Sequence, residues 1–196
     1  MDKILNYING KLVAPVNGQY LENYNPSTGK VYSLIPDSEK DDINNAVHAA
    51  KKAFPAWSKT PKQERSNILM KLADNIEKHF EELVVAESKD NGKPESLAAH
   101  VDIPRAPANI RFFAGAILHD SSNVHEMDGT AINYTLRQPL GVAACISPWN
   151  LPLYLLTWKI APALASGNTV VAKPSEITPM TAYLFSKICI ESGLPK

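Results

Sequence analysis

Two short polar breaks in apolar sequence carry the side chains with chemistry to offer. Ser147-Pro148-Trp149-Asn150 follows the apolar run 141–146, and Lys173-Pro174-Ser175-Glu176 follows the run 169–172. A Lys and a Glu three residues apart, near an aromatic and an amide, suit a sugar and a carbonyl oxygen. The carboxylate accepts from vicinal hydroxyls, the ammonium donates to them, and the Asn amide donates to an oxygen gaining negative charge. Each residue also fits a plainer role: Trp149 as packing, Asn150 as a turn former, Lys173 and Glu176 as a solvated pair. No GxGxxG is present to mark a dinucleotide fingerprint, and the residues alone leave both readings open. No metal site is indicated. Cys145 and Cys189 share no CxxC spacing, and the five His are scattered.

The elements that must position these breaks read as strand, helix, strand, helix. Residues 141–146 are continuously apolar, as expected of a parallel strand covered on both faces. A largely apolar helix follows and stops at Ser166-Gly167-Asn168, with Gly167 able to take the left-handed position past its end. Residues 169–172 form a second buried strand. Thr178 then caps a further helix, with Pro179 at its first position and Gly193 just beyond it. In open α/β sheets ligands sit at the carboxyl ends of the strands, which is where both breaks fall.

Upstream, Asn9-Gly10 and Asn17-Gly18 mark turns between short strands, beside Ile8, Leu12 and Tyr20. Asn25-Pro26-Ser27-Thr28-Gly29 is a turn leading to a strand at 31–35. Ser38 then caps a helix with Ile43, Ala46, Val47, Ala50 and Phe54 on one face. Thr60 and Gln63 have capping-box spacing around Pro61, followed by the stripe Ile68, Leu69, Leu72, Ala73 and Ile76. Asn91-Gly92-Lys93-Pro94 interrupts the next helix. Residues 96–118 read as a helix bent by Pro104 and Pro107. A strand is expected at 132–137, with a domain transition across 120–139.

Composition narrows the class. The chain has 196 residues, 44% hydrophobic and 20% charged, so it can bury a sizeable core. Lys plus Arg equals Asp plus Glu at 20 each, which gives no electrostatic reason to expect nucleic acid or an anionic membrane as partner. Two cysteines make no disulfide framework. The most apolar stretch, 151–165, is broken by Pro152, Lys159 and Pro162 and is too short to span a bilayer. With no signal-peptide pattern at the start, the expected setting is cytoplasmic.

The ordered set Ile146-Ser147-Pro148-Trp149-Asn150, Pro162-Ala163-Leu164-Ala165-Ser166-Gly167-Asn168 and Lys173-Pro174-Ser175-Glu176 resembles the aldehyde dehydrogenase superfamily, whose Rossmann-like domain lacks GxGxxG. The likeness runs upstream through Asn25-Pro26-Ser27-Thr28-Gly29, Ala53-Phe54-Pro55-Ala56-Trp57 and Asp90-Asn91-Gly92-Lys93-Pro94. It implies an α/β chain: the N-terminal portion of the aldehyde dehydrogenase fold with an incomplete Rossmann-like NAD-binding domain. On that reading residues 1–119 are the N-terminal strands and helices of the cofactor domain, and 120–139 an oligomerisation strand and linker. Residues 140–196 are then the first β-α-β-α of the NAD-binding unit.

The resemblance also implies roles. Asn150 matches the oxyanion-hole asparagine that stabilises a tetrahedral thiohemiacetal. Ser147, Pro148, Trp149 and Asn150 match the loop lining NAD. Lys173, Ser175 and Glu176 match the adenosine-ribose site, with Glu176 favouring NAD over NADP. Residues 146–159, with Asp102-Ile103-Pro104-Arg105 before Arg111-Phe112-Phe113, are most similar to the aminomuconate- and hydroxymuconate-semialdehyde dehydrogenase branch. There Arg105 would bind a substrate carboxylate, a task suited to a planar guanidinium.

The implied activity is NAD-dependent oxidation of an aldehyde, such as a muconate-type semialdehyde, by a homo-oligomer. The family's nucleophile context Gly-Gln-x-Cys and base context Glu-Leu-Gly-Gly do not occur in these residues, and Cys145 and Cys189 read as core thiols. The chain alone is therefore expected to be inactive, and a two-stranded sheet to leave it unstable or prone to association. The alternative is a non-catalytic product that binds NAD weakly or associates with full-length subunits.

Overall fold

The computed structural model describes residues 2–196, and Met1 lies outside the described residues. The first strands are short. β1 (Asp2–Lys3) runs parallel to β5 (Lys30–Pro36), whose other edge pairs antiparallel with β4 (Tyr20–Asn25). β2 (Asn6–Ile8) and β3 (Lys11–Val13) form a hairpin across Asn9 and Gly10, both at positive φ (53° and 71°). Two consecutive left-handed residues are what a two-residue hairpin turn requires, and Asn-Gly supplies them at least strain.

Helices α1 (Lys40–Trp57), α2 (Lys62–Lys78) and α3 (Phe80–Asn91) follow. The stripe predicted on α2 forms the centre of the core, with Leu69, Leu72, Ala73 and Ile76 fully buried and Ile68 packed against them. On α1 the expected face is only half-buried, and Ile43 is exposed. The bent helix resolves into a short turn, α4 (Glu95–Leu97), a widened π turn at Ala98–Asp102, and α5 (Ile103–Ala116) with Pro104 in its first turn. Pro104 lies in the first turn of α5 and Pro107 inside it, neither with an amide to donate, and the π turn widens the helix just before them.

The strand expected at 132–137 is β7 (Ala131–Tyr134), paired antiparallel with β6 (Val124–Met127), which sequence pattern did not suggest. Every residue of this hairpin is exposed, so it lacks the apolar alternation that marks a strand. Then come β8 (Val142–Ile146), α6 (Pro152–Ala165), β9 (Thr169–Lys173) and α7 (Met180–Ser192) in the expected order. α5 and α6 pack on α2, and Ile110, Leu153, Leu156 and Ile188 join one continuous core.

Three expected caps are differently made. α1 starts after Glu39, whose amide donates to Asp42 Oδ2 at 3.1 Å, while the Ser38 hydroxyl accepts from Asn6 instead. Thr60 donates to the Ala56 carbonyl and Gln63 to Asn67, so no capping box forms. At α7 the first amide, Met180 N, donates to Asp90 Oδ2 at 2.6 Å, and the Thr178 hydroxyl is buried without a partner. The expectation that β8 and β9 are covered on both faces also fails. Cys145 is buried and Thr169 bonds to the Ala50 carbonyl of α1, whereas Ala144, Ile146, Ala172 and Lys173 are exposed, so cover is lost toward the carboxyl ends of both strands.

Candidate functional site

β8 and β9 are parallel and in register from Val142↔Thr169 to Ile146↔Lys173. Both strands therefore end at the same level, and the two polar breaks leave one rim side by side. The amide of Ser147 extends the ladder to the Lys173 carbonyl at 3.2 Å. This is the geometry expected of a ligand rim at strand carboxyl ends.

The loop after β8 has a buried root and an exposed tip. Ser147 is buried, while Pro148, Trp149 and Asn150 are exposed. No hydrogen bond within the described residues uses the Asn150 side-chain amide, so both its donors are available to a ligand oxygen. Its backbone is tied down. Asn91 Nδ2 donates to the Trp149 carbonyl at 2.8 Å, and Lys93 Nζ donates to the Asn150 carbonyl at 3.1 Å.

In the loop after β9 Lys173 and Glu176 are exposed, while Ser175 between them is buried. Lys173 Nζ and Glu176 Oε2 lie 2.8 Å apart with both side chains mostly exposed, and the ammonium lowers the Glu176 carboxyl from its ordinary value. Such a pair contributes little to stability, so its worth lies in what it can bind. Residues 173–176 also border a groove of about 560 Å3 that runs between α1, β9 and α7, lined chiefly by apolar side chains such as Ala46, Ala50, Ala182 and Phe185.

Arg105 sits exposed on α5 with its guanidinium over the ring of Tyr154, 5.8 Å from the centroid, in the first turn of α6 after the first loop. No carboxylate pairs with it among the described residues. The aromatic face orients the guanidinium plane while leaving its edge free.

Two expectations about reactive groups are settled by burial. The Cys145 thiol is raised by desolvation, and Cys189 is pushed up to about 12, so neither is a ready thiolate. Among the described residues no group of three or more His, Cys, Asp or Glu could hold a metal ion, and no helix is long and apolar enough to cross a membrane.

Sequence reading missed the groups behind the first loop. Glu87 and Asp102 are 0% and 1% exposed, and Lys93 is buried between them. A signal existed. Glu87 and Asp90 fall four and seven residues after Leu83, on the stripe of α3 that faces the core.

The fold and rim define a protein class. The chain belongs to the aldehyde dehydrogenase family, whose model matches residues 13–196. It is 54% identical over 191 residues to the 2-aminomuconic semialdehyde dehydrogenase of Bos taurus, covering 97% of this chain and 39% of that enzyme. It is 44% identical to the 2-hydroxymuconic semialdehyde dehydrogenase of Pseudomonas sp. CF600, covering all of this chain and 41% of that one. The NAD+ complex of the Bacillus cereus aldehyde dehydrogenase superposes with a TM-score of 0.96 at 38% identity, over 99% of this chain and 40% of that structure. The chain thus spans about 40% of these relatives and has the N-terminal part of their fold.

Proposed function

We propose that this chain supplies the cofactor rim and one oxyanion donor of an NAD-dependent semialdehyde dehydrogenase. The observation that carries the reading is the register Ile146↔Lys173, which sets an unpaired asparagine amide and an exposed Lys–Glu pair on one rim. NAD, when bound, accepts hydride from the substrate. The donor set fits its adenosine ribose: Glu176 accepts from the vicinal hydroxyls, Lys173 donates to them, and Ser175 lies between them in the same loop. A 2′-phosphate would meet the Glu176 carboxylate, so NADP is disfavoured.

Ser147, Pro148 and Trp149 line the dinucleotide on the other loop. Asn150 turns its amide donors toward the substrate carbonyl oxygen as that oxygen gains charge. Arg105, presented on the Tyr154 ring, receives the carboxylate of a muconate-type semialdehyde. Buried free thiols suit a reducing, cytoplasmic setting.

The test is titration of the purified chain with NAD and NADP, followed by calorimetry or Trp fluorescence. NAD should bind measurably tighter than NADP, and Glu176→Gln should weaken NAD about tenfold, roughly 1.4 kcal/mol. No NAD binding by the unsubstituted chain, or equal affinity for both dinucleotides, would sink the reading.

A second reading, association with longer subunits, has one observation in favour. The β6–β7 hairpin presents Val124, Ile132 and Tyr134 to solvent on one face, an apolar patch on strands with free edges. Co-purification with a longer homologous subunit that is lost in Ile132→Lys would support it. Retention of that complex in the variant would remove it.

A further inference from the structure

The motif Asp90-Asn91-Gly92-Lys93-Pro94 was singled out by sequence and given no function by the rim itself. α3 ends at Gly92, whose φ of 80° turns the chain sharply and whose added Cβ would strike Pro26 at 2.8 Å. That turn returns Lys93 beneath the loop after β8. Its carbonyl is fixed by the Ser88 hydroxyl at 2.6 Å. The ammonium then meets Asp102, brought in by the π turn, lies 3.7 Å from Glu87, and donates to the Asn150 carbonyl.

Lysine has three donors, and this site uses two of them, on the Asp102 carboxylate that balances its charge and on one loop carbonyl, with the Glu87 carboxyl 3.7 Å away. Burying such a cluster is weak support for stability, because desolvation offsets the attraction and apolar residues of equal volume serve as well. What apolar residues could not do is hold a carbonyl. Two groups from the end of α3 reach the same segment: Asn91 the Trp149 carbonyl and Lys93 the Asn150 carbonyl.

We propose that Lys93, braced by Asp102 and Glu87 and assisted by Asn91, is a positioning residue that fixes the backbone of Trp149 and Asn150 and so aims the Asn150 amide. Its catalytic meaning rests on the reading of Asn150 as the oxyanion donor. Its structural content does not.

The experiment is amide hydrogen exchange by mass spectrometry on the full chain, comparing peptides covering 148–153 with peptides covering 68–76 in the α2 core. Lys93→Met should speed exchange at 148–153 at least tenfold while 68–76 stays unchanged, and Lys93→Arg should restore most of the protection. Asn91→Ala, near the surface and outside the ion cluster, should speed the same peptides about threefold, and gives a readable outcome even if Lys93→Met folds poorly.

Uniform acceleration in both regions by Asn91→Ala, or no change at 148–153 in either variant, would overturn the proposal. NAD titration of the same variants separates the two claims. An unsubstituted chain that does not bind NAD removes the functional reading and leaves the exchange result standing. A chain that binds NAD, with Lys93→Met showing no local change, removes the clamp alone.

Discussion

The loop after β8 and the loop after β9 leave the same rim of the same sheet, yet they are held by different physics. Behind the first lie a buried lysine, two buried carboxyls and the first turn of α6, all resting on the main core. The second is rooted by the buried Ser175 and Thr178 but carries its charged Lys–Glu pair in solvent and borders an open groove. An oxygen that gains charge during a reaction needs a donor already in place, since reorganisation at that moment forfeits the advantage. A ribose held by two flexible charged side chains tolerates looser ground. The contrast predicts large effects of substitutions under the first loop and small ones at the second.

The largest effect should come from Leu153→Ala. Leu153 is fully buried in the first turn of α6 and links that turn to the core. Truncation should cost about 2–5 kcal/mol, read as a lowered urea midpoint by far-UV circular dichroism at low protein concentration. A loss under 1 kcal/mol would mean that the helix start is not braced and would break the comparison at its root.

Next comes pH. Burial pushes the Glu87 carboxyl from its ordinary 4.5 up to about 7, with Lys93 pulling the other way. A folded-state pKa above the unfolded one means the native protein binds the extra proton between those values. Stability from this group is therefore full below about pH 4.5 and is lost as pH rises to about 7, by on the order of 3 kcal/mol. Glu87→Gln should flatten that slope. Glu176 carries the opposite sign: its depressed pKa lends stability that is lost only as pH falls through the acid range, and solvent exposure makes that contribution small. A urea-midpoint profile across pH 4 to 8 that rises with pH in the unsubstituted chain, and is unaltered by Glu87→Gln, would contradict the assignment.

The exposed loop was readable from sequence and the buried clamp was not, for a physical reason. Ser147-Pro148-Trp149-Asn150 and Lys173-Pro174-Ser175-Glu176 announce themselves because polar, turn-forming residues end apolar runs, a purely local contrast. Helix α2 follows from its apolar periodicity, α6 from its apolar run ended at Gly167, and α7 from Pro179 before it and Gly193 after it, all local signals. The clamp is assembled by tertiary contact. Asp102 reaches Lys93 through a π turn, and Asp90 caps a helix ninety residues away in place of Thr178.

Ser38 shows the same override, accepting from Asn6 across 32 residues, whereas the Thr60 hydroxyl turns back to the Ala56 carbonyl four residues before it. Local capping propensity amounts to about 1 kcal/mol, which a better-placed distant carboxylate exceeds. The two-sided burial expected of β8 and β9 failed because an apolar run reports what a strand can bury and not which faces have neighbours. The hairpin β6–β7 was half-missed because none of its residues is buried, so no periodicity exists to be read.

The smallest expected effect is also the most discriminating. Lys173→Met removes the ammonium from an i,i+3 pair that is more than half exposed on both sides. Exposed pairs of this kind contribute about 0–1 kcal/mol, so the urea midpoint should hold within about 0.5 kcal/mol of the unsubstituted chain. Hydrogen exchange at 148–153 should not change, because among the described residues Lys173 is tied to the other loop through its backbone carbonyl, which accepts from Ser147 and survives the substitution. NAD affinity should nonetheless fall about tenfold if the ammonium donates to the ribose, since a charge-assisted hydrogen bond contributes about 1.5–3 kcal/mol. A variant that loses stability but keeps NAD affinity would reverse the assignment, making the second loop structural and the Lys–Glu pair part of the scaffold.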